Sequence, residues 1–134
     1  MKIRSALIVA AALLVAAAAP VFAHHSFAAE FDVNKPTTLT GSVTKLDWIN
    51  PHARLLIEAK GSDGKVANWD IELGPPAMLM RSGWTKNSLK IGDEVSVVAN
   101  PAKDASRPAN AQTVTLSDGR RAFARSSADC NAQE

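Results

Sequence analysis

The stretch ARLLIEAKGSDGKVANWDIEL, residues 53–73, alternates apolar and polar side chains on either side of Ser62-Asp63-Gly64. A period of two marks strands with one buried face. A three-residue loop ending in glycine provides the positive φ that a tight hairpin needs. Pairing Gly61 with Lys65 sets Ile57 opposite Trp69, Leu55 opposite Ile71 and Arg54 opposite Glu72. Apolar meets apolar and basic meets acidic in one register, which specifies the hairpin. Ala53, Leu55, Ile57 and Ala59 then face a core from one strand, and Ala67, Trp69, Ile71 and Leu73 from the next.

Upstream of the hairpin, Leu39, Gly41 and Val43 alternate with polar residues before the phase slips by one to Leu46 and Trp48. Such a slip predicts a β-bulge, which bends a strand and suits a sheet that curls. Asn50-Pro51 ends this strand. Downstream, Pro76 fits the first turn of a short helix through Arg81, with Gly83 as its terminator. Thr85 opens a further turn through Leu89, Ile91-Gly92-Asp93 turns the chain, and Val95, Val97 and Ala99 mark a fourth strand. Residues 100–108 read as a loop, Val114 and Leu116 as a fifth strand, and Asp118-Gly119 as a turn. Fraying is expected from Ala122, with Phe123 available to dock. Three strands, a helix and two strands, with the first strand bulged, predict a mainly β fold: a small five-stranded OB-like barrel with a short helix between strands 3 and 4. A small open sandwich is the competing arrangement.

The chain has 134 residues, 46% of them apolar, with 15 basic and 13 acidic side chains and one cysteine. Lys2 and Arg4, the apolar run Ala6 to Ala19 and the small-residue ending Pro20-Val21-Phe22-Ala23 form the pattern of a signal peptide. A membrane anchor is the weaker reading, because the run is Ala-rich, shorter than the ~20 residues a bilayer needs and without a stop-transfer charge cluster. Cleavage after Ala23 would remove two of the basic residues and leave 111 residues with 13 basic against 13 acidic. The expected organisation is a signal peptide (1–23), an N-terminal arm (24–36), an OB-like barrel (37–121) and a flexible tail (122–134). Export predicts a periplasmic or secreted protein with no stable membrane anchor after cleavage. Zero formal charge speaks against a nucleic-acid partner, and Arg120-Arg121 with Arg125 reads as a solvated tail. Cys130 lacks an intrachain partner and reads as an incidental thiol or an intermolecular one.

His24, His25 and His52 carry the sharpest chemistry. Processing after Ala23 would give His24 a free amine able to chelate a metal together with its own ring Nδ1. His25 adds a neighbouring imidazole, and His52 follows Asn50-Pro51 at the rim where strand two begins. Nitrogen donors of this kind favour copper(II), with nickel and zinc behind it. Ser26 stands where the tight square-planar terminal motif requires histidine, so that motif is absent. The alternative is that His24 and His25 belong to an unliganded arm while His52 stabilises a turn.

Catalysis has little support. No Gly-x-Ser-x-Gly elbow and no phosphate loop occurs, and no sequence feature places a base beside Cys130. Opposite-charge pairing across an exposed sheet explains Arg54, Asp70 and Glu72 without chemistry, with Arg54 expected to neutralise Glu72. Met78 and Met80 are two apart on the short helix and do not form a shared ligating face. Trp69 belongs to the inner face, whereas Trp48 and Trp84, at element ends, either plug a barrel mouth or contact a ligand.

His24-His25-Ser26-Phe27, Trp48-Ile49-Asn50-Pro51-His52-Ala53, Glu72-Leu73-Gly74, Gly83-Trp84 and Gly92-Asp93-Glu94-Val95 occur in one order over most of residues 24–121. That set resembles a family of small exported bacterial proteins known as the domain of unknown function 6152. The resemblance implies an exported β-rich domain and assigns no activity, cofactor or site residue. The expectation is therefore a protein that binds rather than catalyses: a metal protein using His24, His25 and His52, or an interaction module holding a peptide, sugar or periplasmic partner protein through Trp48 and Trp84.

Overall fold

The structure is a computed structural model that describes residues 27–61 and 63–123. Residues 1–23, read from sequence as a signal peptide, and His24, His25, Arg125 and Cys130 lie outside the described residues. The chain runs α1 (Phe27–Glu30), β1 (Thr37–Asp47), β2 (Arg54–Lys60), β3 (Val66–Glu72), α2 (Pro76–Arg81), β4 (Glu94–Pro101), β5 (Pro108–Leu116) and β6 (Arg121–Phe123).

The first five strands close into a barrel in the order β1-β2-β3-β5-β4-β1, with α2 between β3 and β4. All neighbours are antiparallel except β3 and β5, whose parallel pairing of Asp70, Ile71 and Glu72 with Pro108, Ala109 and Asn110 completes the circle. The hairpin register is the one read from sequence: Ile57 faces Trp69, Leu55 faces Ile71 and Arg54 faces Glu72. Gly61 N–H donates to Lys65 O at 3.0 Å to close the loop.

β1 belongs to two pairings at once. Residues Thr37 to Ser42 pair with β4, and Thr40 to Asp47 pair with β2. The register shifts between Val43 and Lys45, where the slip of phase predicted a bulge. A Cβ on Gly41, in the shared stretch, would collide with the Glu58 carbonyl oxygen and come within 2.7 Å of Ala59 Cα. Glycine there lets β1 and β2 approach closely.

The interior is built from Leu39, Val43, Leu55, Ile57, Ile71, Leu73, Val95, Val97 and Val114, with alanines 53, 59, 99, 109 and 111 filling the narrow positions. α2 adds Leu79, and the turn after it adds Trp84 and Leu89. Pro76 starts the helix and Gly83, at φ +86°, follows its end.

Three boundaries differ from the sequence reading. β5 begins at Pro108 rather than near Val114, and β4 continues to Pro101, so the connecting loop is shorter than expected. Pro108 and the small or polar Ala109, Asn110 and Ala111 carry no strand pattern of their own, and pairing with β3, β4 or both makes them a strand. β6 pairs Arg121, Ala122 and Phe123 with β5, extending the sheet two residues beyond the expected barrel limit.

Candidate functional site

A row of polar residues crosses the barrel in register, half-buried at Asp47, Arg54 and Glu72 and buried at Asn110 and Asn100. Asp47 on β1 pairs with Arg54 on β2, Arg54 with Glu72 on β3, Glu72 with Asn110 on β5, and Asn110 with Asn100 on β4. Paired residues share a face, and the neighbouring row Leu55, Ile71 and Ala109 points into the core.

His52 stands at the edge of this row, on the loop between β1 and β2, two residues after the cis Asn50–Pro51 peptide begins. Its Nδ1 lies 3.1 Å from Glu72 Oε1, with the imidazole about one-third exposed and the carboxylate about one-fifth. A contact of that length between ring nitrogen and carboxylate is attractive when Nδ1 carries the proton. In the neutral ring the lone pair is then on Nε2. The backbone beneath is held by Ala53 N–H donating to Gly74 O and Leu73 N–H donating to Ala53 O, which ties the His52 loop to the end of β3.

Arg54 differs from its expected role. Although its backbone faces Glu72, its guanidinium donates from Nε and Nη2 to Asp70 Oδ1 and Oδ2 at 2.8 and 2.7 Å. The diagonal carboxylate offers a two-pronged geometry, which leaves Glu72 Oε1 to His52. The Asp70 hydrogen bond raises the Arg54 pKa against the opposing effect of burial, with the charges of Asp70, Glu72 and Glu30 adding to the rise. Glu30 belongs to α1, so the N-terminal arm passes close enough to this face for its charge to be felt.

The described part of that arm is docked. Asp32 N–H donates to Pro101 O, Lys103 N–H donates to Glu30 O, and Phe31 forms a bridge with Ala102. Phe31 is buried, and Phe27 lies beside it with ring centroids 5.2 Å apart. Next to the arm's docking strand, Asn100 accepts a hydrogen bond from Gln112 Nε2 at 2.7 Å. Asn110 is fully buried, and neither side-chain amide atom has a hydrogen-bond partner among the described residues.

The three sequence-predicted metal ligands are thus represented by His52 alone; His24 and His25 lie outside the described residues. Among the described residues no group of three or more His, Cys, Asp or Glu is placed to hold a metal ion. Trp48 is half-buried and packs on the core, and Trp84 is buried within it. A cavity of about 380 Å³ instead lies at the barrel mouth over Trp69, between Lys35, Asp63, Pro101 and Arg107. Sequence periodicity placed Trp69 on the inner face correctly, but an inward residue at the end of a barrel also borders its opening.

A closed five-stranded barrel with its helix between the third and fourth strands defines the OB-like class. Within that class, the chain belongs to the family of unknown function DUF6152, whose sequence profile matches residues 10–111. No curated protein matches the chain. No solved structure matches it either. No helix among the described residues is long and apolar enough to cross a membrane.

Proposed function

We propose that this is an exported binding protein whose ligand is a divalent transition metal, copper(II) first, held by His52 together with His24 and His25. The observation that carries the reading is the His52–Glu72 contact, which leaves the neutral ring's lone pair on Nε2. A carboxylate on the far nitrogen is the usual partner of a metal-ligating histidine, because it fixes the tautomer and strengthens the donor. Reach supports it as well. Glu30 influences Arg54, which is paired with Glu72, and His25 is only two residues upstream of the first described residue, Phe27.

Copper(II) titration of the chain starting at His24, followed by its d–d absorption band, tests the proposal. Glu72→Ala is expected to weaken binding by about tenfold or more, and His52→Ala by at least as much. One extra residue ahead of His24 shifts the band if the terminal amine is a ligand. Affinity unmoved by His52→Ala removes the barrel from the site and overturns the reading.

The mouth cavity favours a second reading, an interaction module for a peptide, sugar or partner protein. Its indole wall, Trp69, is half-buried beside charged loops, the mixture that organic ligands use for orientation. Tryptophan fluorescence that ignores a panel of peptides and oligosaccharides counts against it.

A further inference from the structure

At another place on the barrel, the turn after α2 meets the β5–β6 hairpin around a cavity of about 250 Å³. Trp84, Ser82, Ser88, Leu116, Arg120 and Arg121 border it, and among the described residues no Asp or Glu does. We infer that this cavity binds a small anion carrying phosphate or carboxylate oxygens, gripped by Arg120 and Arg121 against the Trp84 wall. The inference is independent of the copper reading and concerns none of its residues.

The sign of the site follows from which polar groups remain available. The last carbonyls of α2 are not, since Met78 O and Leu79 O accept from Ser82 N–H, Met80 O from Gly83 N–H, and Leu79 O also from Trp84 N–H. The helix end therefore offers little free negative charge. Arg120 is held from behind: its Nε donates to Asp118 Oδ2 at 2.6 Å, leaving the Nη donors for another acceptor. The Arg120 backbone N–H, and then its side chain, hold the Asp118 carboxyl below its usual range. Arg121, next to it, has no carboxylate within ion-pair distance among the described residues. A guanidinium presents a planar fork that matches phosphate and carboxylate oxygens, and both arginines border the cavity.

Two further groups suit the same ligand. Ser88 Oγ accepts from Thr85 N–H at 2.8 Å, which fixes its position at the cavity wall. Trp84 is almost fully buried, yet its indole Nε1 has no hydrogen-bond partner among the described residues. A buried donor without an acceptor is costly, and a slight opening of the cavity towards it would give that N–H an anionic partner. Gly83, whose missing Cβ would project into open space, adds no bulk at the entrance. The volume falls below the roughly 300–1,000 Å³ of sites for drug-sized ligands, so the occupant is small.

The test uses inorganic phosphate and citrate as probes, with sodium chloride at matched ionic strength as control. Binding is read by calorimetry and by the Trp84 indole N–H resonance. Phosphate or citrate is expected to move that resonance while chloride does not, and preference between the two tells a phosphate site from a carboxylate site. Arg121→Gln should weaken binding by about tenfold, the effect of losing one charge-assisted contact, and Arg120→Gln should do the same without unfolding the chain. An equal response to chloride, no response to either probe, or unchanged affinity in both variants overturns the assignment.

Discussion

The β2–β3 hairpin and the β3–β5 seam are two edges of the same strand, and they are held in different ways. On the hairpin side, seven backbone pairs bring Leu55 and Ile57 against Ile71 and Trp69, while Arg54 clasps Asp70 outside. At the seam, three parallel pairs join β3 to a segment of proline, alanine and asparagine. The hairpin joins neighbours in sequence through large side chains. The seam joins residues 38 positions apart, as Ile71 and Ala109 are, through small ones. Large complementary side chains fix a local pairing, whereas small ones permit a distant closure that the rest of the barrel enforces.

Three substitutions test that contrast. Ile57→Ala, in a fully buried position of the hairpin, should cost about 2–5 kcal/mol, the usual range for emptying such a site, read as a lower denaturation midpoint. A cost under 1 kcal/mol would show that the hairpin packing does not carry the fold. Arg54→Met removes the clasp on Asp70, but both side chains are more than one-third exposed, so a loss of about 0.2–1 kcal/mol is expected. A larger loss would move weight from the hairpin's core to its outer face. Asn110→Leu, at the seam, should leave stability unchanged or raise it. The native amide is buried without partners among the described residues, and replacing such a group by an apolar one of similar shape costs little. A clear loss of stability would mean that the seam depends on Asn110 polarity.

The same contrast explains which parts of the fold are legible in the sequence. The hairpin register, the bulge in β1, the helix and the OB-like order of elements all follow from local periodicity and turn residues. The early start of β5 does not, because Ala109 and Ala111 carry no strand signature and Asn110 points to a loop. At the candidate site, His52 and its rim position are legible, as is the pairing of Arg54 with Glu72 along the backbone. The exchange of side-chain partners, with Arg54 taking Asp70 and Glu72 meeting His52, depends on diagonal geometry that a strand register does not specify. The polar row continuing through Asn110 to Asn100 needs the seam to exist first.

By itself, then, the sequence determined the strands that can recognise a neighbour through alternation, and the turns that join them. Tertiary structure decided where the sheet closes, which carboxylate each cation meets, and that Trp84 is buried against the core while Trp69 stays half-buried. The physical reason is that alternation encodes only which face of a strand avoids water. The partner across a barrel, and the space left at its ends, are set by how all the faces close together.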